Sequence, residues 1–258
     1  MLSNPSRSGS SPSSASSRLI RSCIALFYIS ALAATAGHGQ SASLDELYAK
    51  RDDFASAKKA AAGWTTLVAA DPRNFEAAWK LARADYWLGG HAAETERRGF
   101  LEQGIDAGRK AADIEPNRPE GHFWAAANMG ALAESFGLRA GLKYRKPIKA
   151  ELETVLRLDA AFQSGSADRA LGRWYFKVPS LFGGSNTHAE EHLRASLTYD
   201  PNSTASHYFL AELYLDEHRT DQARAELQKV VNAPFNTDWA PEDRDFKYKA
   251  EGLLTNLK

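Results

Sequence analysis

The sequence is short of several things that would each point to a definite chemistry. It has one cysteine, Cys23, in 258 residues, so no disulfide framework and no cysteine-rich zinc knuckle can form within the chain. It has no excess of either charge, with 32 Lys plus Arg against 32 Asp plus Glu. Lacking a basic surplus, an aromatic-rich ribonucleoprotein strand or a basic recognition helix, it is not expected to take a nucleic acid partner. No stretch alternates apolar and polar residues with β-branched side chains, so a sheet is not expected. Neither a G-x-S-x-G elbow nor a glycine loop ahead of a Lys-Ser or Lys-Thr pair is present, which leaves no serine-hydrolase or phosphate-loop signature.

The first 42 residues differ from the rest. Residues 1–17 are rich in serine, Arg18 and Arg21 supply positive charge, and Cys23 to Ala36 form an apolar run of 14 residues ending Ala34-Thr35-Ala36. That is the three-part order of a secretory signal peptide, and the run is shorter than the roughly 20 residues that span a bilayer. Cleavage after Ala36 is expected, with residues 1–36 as signal peptide, 37–42 as a short linker and 43–258 as the working domain. Cleavage would remove Arg7, Arg18 and Arg21 and no acid, leaving 29 basic against 32 acidic residues. Cys23 would leave with the signal, and it stands at the start of the apolar run, not after it as the acylated cysteine of a lipoprotein would. The mature protein is therefore expected to be soluble, and periplasmic or secreted.

The remaining residues repeat. An acidic residue, usually followed by proline, recurs as Asp71-Pro72, Glu115-Pro116, Asp159-Ala160 and Asp200-Pro201, at spacings of 44, 44 and 41 residues. Eight residues after the acid stand Trp79, Phe123 and Tyr208, and eleven after it Ala82, Ala126 and Ala211; the third unit reaches its equivalents, Ala170 to Trp174, after an insertion around Gly165. Twelve residues before Pro72, Pro116 and Pro201 stand Ala60, Gly104 and Ala189, and eight before them Trp64, Gly108 and Leu193. Large residues one turn from small ones are what close helix pairs need, since the small residue admits the neighbouring backbone. The pattern predicts an all-α, tetratricopeptide-like solenoid of helix pairs, a short right-handed array. A final apolar stripe, Phe246, Ala250, Leu253, Leu254 and Leu257, preceded by the acids Glu242, Asp243 and Asp245, predicts a C-terminal capping helix.

The first three units are longer than the roughly 34 residues of a standard repeat. Their extra length falls within Gly89 to Phe100, Ser135 to Lys146 and Lys177 to Thr187, and the glycines there predict extended inter-helix loops. Those loops carry rings, among them Phe136, Tyr144 and Phe182, that could wall a ligand cavity on one face or merely cap helices. Arg173 and Lys177 stand among aromatics, where a cation can bind an anionic group or stack and pair with an acid. Trp79 is expected in the core.

One motif invites a catalytic reading. His188-Ala189-Glu190-Glu191-His192 has the H-x-x-E-H order of inverted zinc peptidases, with the two histidines one helical turn apart. The same residues fit the start of a repeat's second helix, with Ala189, Leu193 and Leu197 as its buried stripe, and no third ligand is marked. The expectation is packing, no enzyme and no cofactor.

The third unit is the most distinctive. Leu171-Gly172-Arg173-Trp174-Tyr175-Phe176-Lys177-Val178-Pro179, then Phe182-Gly183-Gly184-Ser185, resembles the hallmark of the TatT family, the T component associated with TRAP transporters. Gly121-His122-Phe123-Trp124-Ala125 with Asn128 and Gly130, and Phe209-Leu210-Ala211-Glu212, extend the resemblance from about Trp79 to the C-terminus. It implies a periplasmic homotrimer that docks a solute-binding protein and passes a hydrophobic small molecule through each protomer, meeting a membrane only through its partners. With that resemblance, the candidate ligand-binding set is Trp124, Phe136, Tyr144, Arg173, Trp174, Lys177 and Phe182. The chain is also similar, more weakly, to tetratricopeptide regulators of microtubule dynamics, whose cytoskeletal role an export signal would contradict.

Overall fold

Ten α-helices and two short 3-10 turns, with no strand, make up the described residues, 43–257, of the computed structural model. The expected signal peptide and linker lie outside the described residues. The helices are α1 (residues 43–49), α2 (Phe54–Ala70), α3 (Phe75–His91), α4 (Glu94–Ile114), α5 (Pro119–Leu158), α6 (Ser166–Lys177), α7 (Asn186–Tyr199), α8 (Thr204–Asp216), α9 (Thr220–Asn232) and α10 (Ala240–Asn256). Each packs on its neighbours in sequence, while α3 also meets α5, α6 meets α8 and α8 meets α10. That is the contact pattern of a helix-pair solenoid.

The recurring acids have a local cause. Asp71, Asp159 and Asp200 each terminate a helix, and the carboxylate of each accepts from the backbone N–H two residues on, at 3.0, 2.9 and 3.0 Å. This Asx turn, with proline presetting the next φ in the units that have one, halts one helix and launches the next. The small residues also serve as predicted. Ala60, Ala82, Ala189 and Ala211 are fully buried. A Cβ on Gly108 would lie 2.6 Å from the backbone nitrogen of Ala125, and one on Gly121 2.4 Å from that of Ala112, so α4 and α5 approach at a distance only glycine permits.

Two of the three expected loops are helix instead. The link between α3 and α4 is only Ala92 and Ala93, so the added residues lengthen both helices. Ser135 to Lys146 lies inside α5, which breaks once, at Phe136 and Gly137, where Gly137 takes φ +74°. Gly90 and Gly141 sit in helices with open space where a Cβ would be; they are helical because their neighbours favour helix, not because a turn needs them. The third segment is a true loop with a 3-10 turn, Ser180–Phe182. Gly183 there has φ +102°, and a Cβ on Gly184 would fall 1.6 Å from the Val178 carbonyl oxygen. Ser185 then caps α7, accepting from the His188 N–H. The Gly-Gly-Ser of the distinctive motif is thus a turn that folds back on Val178 and starts a helix. Trp79 is half-buried, donating to Glu76, and not a core residue; Trp64, fully buried, fills that role.

The solenoid closes on itself. Helix α10 lies on α8 and α9, and its stripe packs as predicted, with Ala250 fully buried beside Phe246, Leu253, Leu254 and Leu257. Its first turns reach back to the start of the array. Arg51, 4% exposed, grips Glu242 through two hydrogen bonds and donates to the Asp238 carbonyl oxygen at 2.8 Å. The His91 ring is 3.0 Å from Asp245, and Arg244 donates to Asp52 at 2.7 Å. A residue between α1 and α2 is in this way fastened to one 191 positions later.

Candidate functional site

Closure of the array leaves an interior cavity of about 1340 Å³. Its wall consists of single faces of α3, α5, α6, α8 and α10. On α6 the lining residues are Ser166, Arg169, Ala170, Arg173, Trp174 and Lys177, the i, i+3, i+4 spacing of one helix face. On α8 they are Thr204, Ala205, Tyr208, Phe209 and Glu212, and on α10 Glu242, Asp243, Phe246 and Lys249. Aromatic rings dominate: Phe209 and Phe246 stand edge to face at 5.6 Å, and Tyr86 lies 5.7 Å from Trp124. Large apolar lining residues that remain exposed, Tyr86, Leu138, Leu142, Phe182 and Phe235, mark the rim.

Charged groups facing this space are mostly committed to protein partners. Arg173 holds Glu134 through two hydrogen bonds of 3.0 Å, pairs with Glu212, and lies 4.5 Å over the Phe209 ring. It ties α5, α6 and α8 together, the structural pairing weighed in the sequence. Lys177 stands 4.0 Å from Glu212. Arg97 donates to the carbonyl oxygens of Gly89 and Ala92, closing the end of α3. Asp243 accepts from Thr204 and from the Asn236 N–H.

Arg169 is different. It is half-buried in the wall, and among the described residues its guanidinium makes neither an ion pair nor a hydrogen bond. Burial pushes its pKa down, and attraction from Tyr86 and Asp200 opposes this. The phenol of Tyr86 is held up by the same burial. An arginine stays charged throughout the accessible pH range, so the cavity wall contains a cation that no acid of the described residues contacts, Asp200 acting on it only from a distance. Arg169 is absent from the sequence-derived set, yet it lies four residues before Arg173 on the same face.

Of the seven candidates, Trp124, Arg173, Trp174, Lys177 and Phe182 line the cavity together. Tyr144 and Phe136 do not. Tyr144 is buried in the main core, and Phe136, at the break in α5, packs partly buried with the Arg98 guanidinium 4.0 Å over its ring. Both lost their expected place for one reason: the segment is helix, and helical spacing turned their rings away from the rim.

His188 and His192 flank the Tyr175 ring, at 5.3 and 5.4 Å. The Nδ1 of His188 is 3.0 Å from Glu191 and that of His192 is 2.7 Å from Asp168. Among the described residues no three His, Cys, Asp or Glu side chains are grouped to hold a metal.

Comparison with known proteins divides the chain in two. Residues 184–240 match the tetratricopeptide repeat. Two solved structures share the fold: TTC0263, a thermophilic tetratricopeptide protein of Thermus thermophilus, at 20% identity and a TM-score of 0.63 over 84% of this chain and 98% of that one, and PilF of Pseudomonas aeruginosa, at 17% and 0.52 over 84% and 91%. No curated protein matches the chain. Residues 41–183, more than half of the sequence, match the family described as regulator of microtubule dynamics protein 1-3, the weaker of the two similarities read in the sequence. They hold α1 to α6, most of the cavity wall and the 3-10 turn as far as Gly183, and by that match the chain belongs to the regulator of microtubule dynamics protein 1-3 family.

Proposed function

We propose that this protein is a binding module that takes one amphipathic anion into its closed ring, with Arg169 as counter-charge and the aromatic faces of α5, α8 and α10 around the apolar part. The observation that carries this is Arg169, half-buried in an aromatic wall with no protein group in ion-pair or hydrogen-bond contact among the described residues. A guanidinium partly withdrawn from water with no contacting acid is less well solvated than a free one, and an acid group on a ligand would relieve that cost. The cavity, at about 1340 Å³, is ample for a small molecule. Tetratricopeptide arrays are also protein-binding scaffolds, and a protein or peptide in the concave groove of this one is the alternative occupant.

The resemblance to the T component of TRAP transporters supplies the setting. In that setting the protein is exported, is soluble after cleavage near Ala36, assembles as a homotrimer, and docks a periplasmic solute-binding protein that exchanges the ligand. Native mass spectrometry of the protein released from its own cells tests the whole reading. A copurified acid, together with a trimer mass and an N-terminus near Gly37, is expected. An empty monomer that begins at Met1 would refute both the ligand and the setting.

A further inference from the structure

The rim of the cavity carries a surface with a second character, basic and apolar at once. Between Glu134 and Glu151 the chain has five cations, Arg139, Lys143, Arg145, Lys146 and Lys149, and no acid. Four of these, Arg139, Lys143, Arg145 and Lys146, form no ion pair among the described residues, although the domain as a whole is slightly acidic. The same stretch exposes Leu138 (68%) and Leu142 (44%), one turn apart on α5 just after its break. The neighbouring 3-10 turn exposes Leu181 (86%) and Phe182 (37%). These two elements touch, since the Arg145 guanidinium lies 5.1 Å over the Phe182 ring. Half of the eight large apolar side chains that the protein exposes among the described residues are therefore gathered at one basic rim.

Beside them is an open hollow of about 490 Å³, edged by Arg145, Lys146, Lys149, Trp174 and Tyr175, with one acid, Glu153, that pairs with Lys149. Exposed leucines cost free energy in water. Leucines among unpaired cations, next to a hollow with cationic and aromatic edges, are the composition of a surface that rests in the interface of an anionic bilayer.

We propose that this rim docks on an anionic phospholipid surface, Leu138, Leu142 and Leu181 entering the interface while Arg139, Lys143 and Lys146 meet the headgroups. Such contact is direct and differs from the membrane contact through partners that the sequence implied. It would set the mouth of the cavity against the lipid.

The test uses the full chain with Cys23→Ser and a single new cysteine carrying an environment-sensitive fluorophore, either at Leu181→Cys on the rim or at Tyr248→Cys. Tyr248 is 80% exposed on α10 and lies outside the rim. Vesicles of phosphatidylcholine with about 30% phosphatidylglycerol, a charge density in the range of an anionic leaflet, should blue-shift the label at 181 and leave that at 248 unchanged. Neutral phosphatidylcholine vesicles should shift neither. Adding Arg139→Glu, Lys143→Glu and Lys146→Glu should lower the apparent affinity at 181 by tenfold or more. Equal responses at the two positions, or a response at 181 that survives the charge reversals, would overturn the proposal. So would a shift at 181 that follows protein concentration without lipid, which would identify the rim as a contact between copies of the chain.

Discussion

Replacing Arg51 by methionine should open the ring. The arginine is 4% exposed and Glu242 is 22% exposed at its side chain, so the pair is neither in water nor sealed from it. Removing one partner of a fully buried pair costs about 3 to 5 kcal/mol, whereas exposed pairs contribute less than about 1. Residual solvation of Glu242 places this case between, at about 2 to 3 kcal/mol, including the hydrogen bond lost at the Asp238 carbonyl oxygen. Methionine keeps much of the aliphatic packing against Tyr48 and Trp87, whose rings lie 5.0 and 5.4 Å from the guanidinium, so the loss reports polar contacts more than a cavity. Urea unfolding of Arg51→Met, Glu242→Gln and the double variant isolates the pair, with a coupling of about 1.5 to 3 kcal/mol expected. Hydrogen exchange should quicken in α10 and leave α4 unaffected, because α4 is held by its own neighbours. Additive effects of the two changes, with exchange in α10 unaltered, would refute the idea that this contact fastens the ring.

Asp85 is fully buried with neither carboxylate oxygen hydrogen-bonded to protein, and burial pushes its pKa well up. The folded state then holds a proton that the unfolded state releases, so stability falls as pH rises from the ordinary carboxylate range through the raised folded value. Asp85→Asn should flatten that slope and raise Tm more at about pH 8 than at about pH 5, on either side of that fall; an equal shift at both would contradict it. The His91 pair with Asp245 acts in the same direction. Burial lowers the His91 pKa but hydrogen bonds to Asp245 and the Trp87 carbonyl outweigh it, so this part of the closure is present below about pH 6.5 and lost as pH rises through the raised value, measurable as faster exchange in α10 that His91→Gln abolishes. Gly184→Ala should destabilise by more than about 1 kcal/mol, because a Cβ has no room beside Val178, whereas Gly90→Ala should be neutral or stabilising; thermal melts compare them directly. Trp64→Ala should cost about 3 to 5 kcal/mol, and Phe182→Ala much less, while weakening an apolar probe in the cavity.

The solenoid was legible because its determinants are local and repeated. A helix-ending aspartate, the turn it nucleates, and a small residue at a fixed distance are all readable within one unit. The capping helix was legible from its stripe for the same reason. Extended loops were not the right inference for the first two of the longer units, since Gly89, Gly90 and Gly141 carry no positive φ and their neighbours propagate helix through them. That single difference moved Phe136 and Tyr144 from the rim to packed positions. Ring closure was out of reach, because Arg51 and Glu242 are joined by the summed curvature of all intervening helices, which no local pattern encodes. Arg169 was missed because an unpaired guanidinium is recognised only when the absence of its partner can be seen in space.

The proposed role of Arg169, to hold the acid group of a ligand inside the ring, can be measured by titrating the unliganded full chain with a fluorescent polyene fatty acid and with the alcohol of the same chain length, in the parent protein and in Arg169→Gln. A charge-assisted hydrogen bond of about 1.5 to 3 kcal/mol corresponds to a roughly 10- to 100-fold preference for the acid. That preference is expected in the parent protein and should disappear in the variant, with the alcohol bound equally by both. Equal binding of acid and alcohol by the parent protein, or an acid preference that survives the loss of Arg169, would contradict it.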